Sequence, residues 1–154
     1  MATSTLIQKL YASDESNVGE DSVIISNRRE IETFIASEAI ADGDFVCLDI
    51  SKTSDGDKMS YVKKLKADAG VTAVGIGVAD QAATEAGALV RVVIKGFKSA
   101  ANVATGAAIG ERVMGTATAG RGDVLVNSST LPALAYVVTT ASANAADVIV
   151  IKQF

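Results

Sequence analysis

"ETFIASEAIADGDFVCLD", residues 32–49, decides the fold. Phe34 alternates with its neighbours among β-branched residues, and that pattern predicts a half-buried strand. The longer window "NRREIETFIASEAI" also fits a helix, with Ile31, Phe34 and Ile35 at compatible spacing. Alternation and β-branching favour the strand. "ADGD" then breaks the pattern, because Gly43 suits a turn and Asp42 and Asp44 bond the local backbone there. "FVCLD" resumes as apolar strand, so the stretch reads as strand, turn, strand.

The same grammar runs outward. Candidate strands are Ser22 to Ile25, Glu30 to Ala36, Phe45 to Asp49, Tyr61 to Lys66, Val74 to Ala79, Leu89 to Phe97, Arg112 to Met114, Val124 to Val126, Ala133 to Thr139 and Asp147 to Gln153. They are rich in Val, Ile, Phe, Tyr and Thr. "ADGD", "SDGD", "EAG", "ATG" and "AGRGD" separate them as turns. Many short strands with regular turns predict a mainly β chain, a small β-barrel or β-sandwich. The Ala-rich stretches "ADQAATEAGA" and "TTASANAAD" have helical propensity. Each lies between two strand patterns and reads as a loop or single turn.

An internal echo accompanies this pattern. "GVADQAATEAGALVRVVIKGF" (77–97) and "VVTTASANAADVIVIKQF" (137–154) both run strand, Ala-rich turn, strand ending Ile-Lys. Two similar β units are expected, the second carrying most of the barrel's other half. Residues 1–21 stand apart as an extended N-terminal arm before a β-rich domain at 22–154. Leu6, Leu10 and Ile7 could share one helical face, but a single turn is marginal alone. The arm reads either as a frayed terminus or as a segment that orders against a partner.

The chain has 154 residues, enough for one domain with its own core. Its 49% hydrophobic content argues against disorder and points to an oligomer or a docked partner. Net charge −4 disfavours general nucleic-acid binding, which needs clustered cations. The basic run "KKLK" (Lys63, Lys64, Lys66) reads as a solvated strand face. No apolar run reaches the roughly 18–20 residues of a membrane span. The start "MATSTLIQKLYASDESN" has no extended apolar core, so no signal peptide is expected.

Chemistry is sparse. The chain has no His, which removes the commonest general base and nitrogen metal ligand. Cys47 sits between apolar neighbours and reads as a buried thiol; a nucleophilic role would need a base. "SDGDK" (54–58) lacks a full calcium-loop pattern and reads as an Asp-Gly hairpin turn. "GIGVAD" has Asp80 where a dinucleotide fingerprint needs a third glycine, so Gly75 and Gly77 are read as permitting close strand packing. "GAAIGER" lacks the Lys-Ser/Thr of a phosphate loop. "RGD" (121–123) places Gly122 at an expected hairpin tip. "NSS" at Asn127 reads as loop. Asp42, Asp44, Asp49, Asp55 and Asp57 sit in or beside turns rather than across a cleft. No enzyme activity, cofactor or metal is expected.

"FIASEAIADGDFVCLD" resembles the small head decoration, or capsid cement, proteins of tailed bacteriophages. The resemblance rests on Phe34, Ile35, Ala36, Glu38, Ala39, Ile40, Gly43, Asp44, Val46, Leu48 and Asp49. It continues in "GIGVA" from Gly75 to Ala79, in Gly87, and in Val90 to Gly96. "IGERV" and "AYVVTTA" complete it, so it spans about residues 32–154 and leaves out the arm. The resemblance implies a β-rich homotrimer that docks on the major capsid protein between capsomers. Its place would be the outer surface of the virion, after synthesis in the bacterial cytoplasm, with no membrane or direct nucleic-acid partner. Phe34, Glu38, Gly43, Asp44, Gly75 and Gly77 are its structural motif residues. Thr3, Leu6, Ile7, Leu10 and Tyr11 are the expected capsid contacts. The alternative is a β-rich fibre or tail module that binds a host-surface carbohydrate.

Overall fold

A computed structural model describes residues 29–66, 75–125 and 133–151. The opening stretch forms β1 (Glu30–Ala36) and β2 (Phe45–Leu48), joined through Gly43, whose φ of +88° an L-residue rarely adopts. A short helix α1 (Asp55–Ser60) leads into β3 (Tyr61–Lys64). Then come β4 (Gly75–Ala79), β5 (Leu89–Asn102), β6 (Arg112–Gly115), β7 (Gly122–Val124), β8 (Ala135–Val137) and β9 (Ala145–Val150).

The strand order is β1-β3-β2-β4-β5-β9-β8-β6-β7, with an additional pairing of β1 with β5. That pairing closes the first five strands into a barrel. It runs antiparallel from Glu30 opposite Lys95 to Ile35 opposite Leu89. β1 and β3 pair in parallel. The lumen is filled by Phe34 and Ala36 (β1), Val46 (β2), Val62 (β3), Ile76 (β4), and Val90, Val92 and Ile94 (β5). Closure removes the unpaired edges that invite aggregation.

The outer wall of the barrel is also buried along β2, β4 and the middle of β5. Phe45, Cys47, Val78 and Val93 pack under Val113, Ala135, Val137, Val148 and Val150 of the remaining strands. Burial on both faces explains why "FVC" and "GIGVA" are continuously apolar: all five residues of β4 are buried.

β5 serves both halves. Its first part lies between β1 and β4; its second, from Gly96, pairs with β9. The sequence predicts a strand ending at Phe97, and the "KSAAN" that follows has poor strand propensity. Pairing with β9 overrides that and extends the strand to Asn102. The register shifts between Lys98 and Ala101, where Ala100 has φ +51° and its N–H donates to Asp147 Oδ1 at 3.0 Å.

Two β units are present, but the second is not the other half of one barrel. It is β5-β9-β8-β6-β7, and a parallel bridge between Val103 and Gly122 turns it back on the end of β5. The echoed segments are the β4–β5 and β8–β9 hairpins, whose second strands pair with each other. The turn of the second is Ala143-Asn144, with φ +50° and +61°, as a two-residue hairpin turn with matching twist requires.

Other boundaries move. "SDGDK" is not a hairpin turn but the start of α1: Ser54 caps the helix, accepting from Asp57 N–H at 3.4 Å. Asp55 and Asp57 then suit the positive end of the first turn. Gly122 is not a hairpin tip. It pairs with Gly115 inside the sheet, where lack of a side chain makes room for the Phe45 ring. β7 therefore begins earlier than the sequence predicts. The candidate strand at 22–25 and "NSS" at 127–129 lie outside the described residues.

Candidate functional site

Gly43 and Asp44 stand where the two β units meet. Gly43 N–H donates to the Ala79 carbonyl at 3.0 Å, and its own carbonyl accepts from Asn102 N–H at 2.8 Å. A Cβ on Gly43 would lie 2.5 Å from the Ala100 carbonyl oxygen. Asp44 is 6% exposed. Its Oδ2 accepts from Ala41 N–H at 2.9 Å and its Oδ1 from Asn102 Nδ2 at 3.0 Å. Gly120 closes over the carboxylate so tightly that a Cβ there would lie 2.7 Å from Asp44 Cγ. Next in sequence, Phe45 N–H donates to the Gly120 carbonyl at 2.9 Å. Thus the turn before β2 ties the barrel to the far end of β5 and to the β6–β7 turn.

The other motif residues also make joints. Phe34 is buried in the lumen. Glu38 Oε1 accepts from Lys64 N–H at 2.9 Å, holding the segment after β1 against β3. Gly75 and Gly77 flank Ile76. Val46 faces Gly77 and Cys47 faces Gly75, so Ile76 is the extra residue of a bulge and enters the lumen. A Cβ on Gly77 would collide with the Val93 carbonyl, and one on Gly75 with the Leu134 side chain.

Two polar clusters lie away from this junction. Asp49 is buried at the end of β2 and accepts the hydroxyls of Ser37 and Ser51, each at 2.7 Å, with Lys63 Nζ at 3.2 Å. Burial raises its pKa, but hydrogen bonds from Ser51, Ser37 and Lys63 outweigh that and hold the carboxyl well below the usual range. Nearby, burial pushes the Cys47 thiol up to about 11, against the opposing charge of Lys63. Such a thiol is protonated and inert at neutral pH. Lys63 is thus partnered rather than simply solvated. The second cluster centres on Asp80, which pairs with Arg29, with Arg91 at 3.4 Å and with Lys98 at 3.7 Å. Lys98, 5% exposed, also reaches Asp42 at 2.9 Å.

Among the described residues, the surface carries an ordered apolar row that the sequence reading missed. Phe97, Ile149, Tyr136 and Arg112 are successive cross-strand partners on β5, β9, β8 and β6. Side chains directly opposite one another share a face, so the four form one row. Ile149 is 48% and Tyr136 43% exposed. The available sequence signal was "VIVI" (148–151), which is apolar at alternate positions on both faces. Nothing local showed which strands would align the others.

Among the described residues no His, Cys, Asp or Glu cluster could hold a metal ion, and no helix is long and apolar enough to cross a membrane. Thr3, Leu6, Ile7, Leu10 and Tyr11, the expected capsid contacts, lie outside the described residues.

No protein-family model matches the chain. No curated protein matches it. The fold is similar to a solved structure, the head fiber gp8.5 N base of bacteriophage phi29, with a TM-score of 0.53 and 15% sequence identity. The match covers 80% of this chain and 94% of that one, so the two share a fold across most of their lengths.

Proposed function

We propose that this chain is a structural protein of a bacteriophage head. More specifically, it is a decoration, or cement, protein that docks as a homotrimer on the outer capsid surface and stabilises the shell against internal DNA pressure. The observation that carries the reading is the fold shared with a phage head-fiber base over 80% of the chain. The decoration-family resemblance of residues 32–49, on an independent basis, points to the same part of the virion. The architecture suits the load: two β units share one long strand and are locked together through Gly43 and Asp44. Docking at several capsomers would turn weak contacts into lasting attachment. The role is non-catalytic, with the major capsid protein as partner and residues 3–11 among the contacts.

Mixing the protein with undecorated heads at several salt concentrations tests this. Co-sedimentation is expected; failure to sediment with heads at every salt concentration refutes it. Deleting residues 1–20 should weaken attachment and leave the β domain folded.

A second reading, a fibre or tail module that recognises a host-surface carbohydrate, draws on the neighbour's belonging to a fiber. The chain has no Trp, and only 5% of its residues are aromatic, so stacking surfaces for sugars are few. A single clear hit in a glycan screen, with no binding to heads, would favour it.

A further inference from the structure

We propose that copies of this chain join head to tail: the row Phe97–Ile149–Tyr136 of one copy covers a second apolar row, Leu89–Ile35–Tyr61, on the next. Ile35 lies directly opposite Leu89 on β5 and Tyr61 on β3, so the three share a face. Their chain neighbours Phe34, Ala36, Val62 and Val90 fill the lumen, which turns this second row to the outside. Leu89 is 65% exposed, and none of the three belongs to either buried cluster.

The rows match in length and in charge. Each has its apolar members on three neighbouring strands and so crosses two strand spacings, about 10 Å. The first row continues to Arg112, which has no ion pair among the described residues. On the second row, Lys52 Nζ lies over the Tyr61 ring, 4.3 Å from its centroid, so that end is cationic. The opposite end is acidic. Exposed Glu85 stands in the turn that leads into Leu89, its carbonyl accepting from Ala88 N–H at 3.3 Å. Its carboxylate also has no ion pair among the described residues. Arg112 is repelled by the Lys52 end and attracted to the Glu85 end. That fixes the order: Leu89 against Tyr136, Ile35 against Ile149 and Tyr61 against Phe97.

A second copy is the occupant that accounts for both rows. Two rows that differ in side chains and in charged end make a heterologous contact, and every copy in a closed ring then hides both. A two-fold contact through one row leaves the other in water. The contact follows from the rows themselves; only closure at three copies rests on the trimer reading above.

Leu89→Cys and Tyr136→Cys, made in separate full-length chains, test the contact without heads, so failure here is distinct from failure of shell binding. Both positions are exposed, and Cys47 is buried and does not compete. A short bis-maleimide bridges the roughly 10 Å between packed sheet faces. Mixed chains should link into a dimer with one chain of each kind, well ahead of either chain alone. Arg112→Glu on the Tyr136→Cys chain should cut that product about fivefold, the upper range for an exposed ion pair, and Glu85→Arg on the Leu89→Cys chain should restore it. No mixed dimer at any protein concentration overturns the proposal. So does linking of either chain to itself as fast as to the other, which would assign a two-fold contact. A chain carrying both cysteines should stop at covalent trimers; a longer ladder supports the head-to-tail contact and refutes the trimer.

Discussion

Replacing Asp44 tests whether the "DGD" turn is a structural joint. Asp44→Ala removes a carboxylate that accepts from Ala41 N–H at 2.9 Å and from Asn102 Nδ2 at 3.0 Å. Hydrogen bonds to a charged group contribute about 1.5–3 kcal/mol each. The Ala41 bond takes the lower value, because that residue is exposed and water can replace the acceptor. The Asn102 bond, beneath Gly120, takes a middle value. The expected loss is therefore about 3–4 kcal/mol, against a total stability of about 5–15 kcal/mol. With a urea m-value of about 2 kcal/mol/M, the unfolding midpoint should fall by about 1.5–2 M with m unchanged. Asp44→Asn keeps an oxygen for Asn102 but sets an amide against Ala41 N–H, so it should lose roughly half as much. Asp44→Ala and Asn102→Ala should be non-additive by more than about 0.5 kcal/mol, as expected for residues in direct contact. A midpoint for Asp44→Ala within about 0.25 M of the parent protein, equivalent to about 0.5 kcal/mol, would refute the reasoning.

Two further outcomes follow from the joints and the buried carboxylate. The folded-state pKa of Asp49 is depressed, so its stabilisation is complete above the unfolded value and is lost as pH falls through the folded one. Between pH 7 and pH 3 this one group should lose on the order of 1 kcal/mol, and Asp49→Asn should show a correspondingly flatter midpoint over that range. Gly77→Ala should cost about 2 kcal/mol or more, because the new methyl meets the Val93 carbonyl and Val92 Cγ1 inside the sheet. Gly87→Ala meets nothing within 4 Å but sits at φ +89°, so only the left-handed backbone penalty of about 1 kcal/mol is expected. Equal losses at the two glycines in thermal unfolding would contradict the bulge geometry.

Much of the fold is legible in short windows. β1 spans Glu30–Ala36, as alternation predicts, and β2 begins at Phe45, directly after the turn that Gly43 makes. Cys47 is buried, and Gly75 and Gly77 permit close strand packing. Where the reading fails, a local signal was ambiguous or missing. "SDGD" suits a hairpin turn and a helix N-terminus alike, and Ser54 settles it by capping α1. "KSAAN" has little strand propensity, yet β9 recruits it.

The candidate surface was less legible than the fold. Phe97, Ile149, Tyr136 and Arg112 come from four strands, and only registers set between distant residues place them in one row. By itself the sequence determined strands, turns and the β class, because side-chain alternation and glycine backbone freedom act within a few residues. The tertiary structure decided closure of the barrel, the sharing of β5 and the apolar row. Glu30 meets Lys95 across 65 residues, and such pairing depends on which faces can be buried together, not on either segment's own pattern.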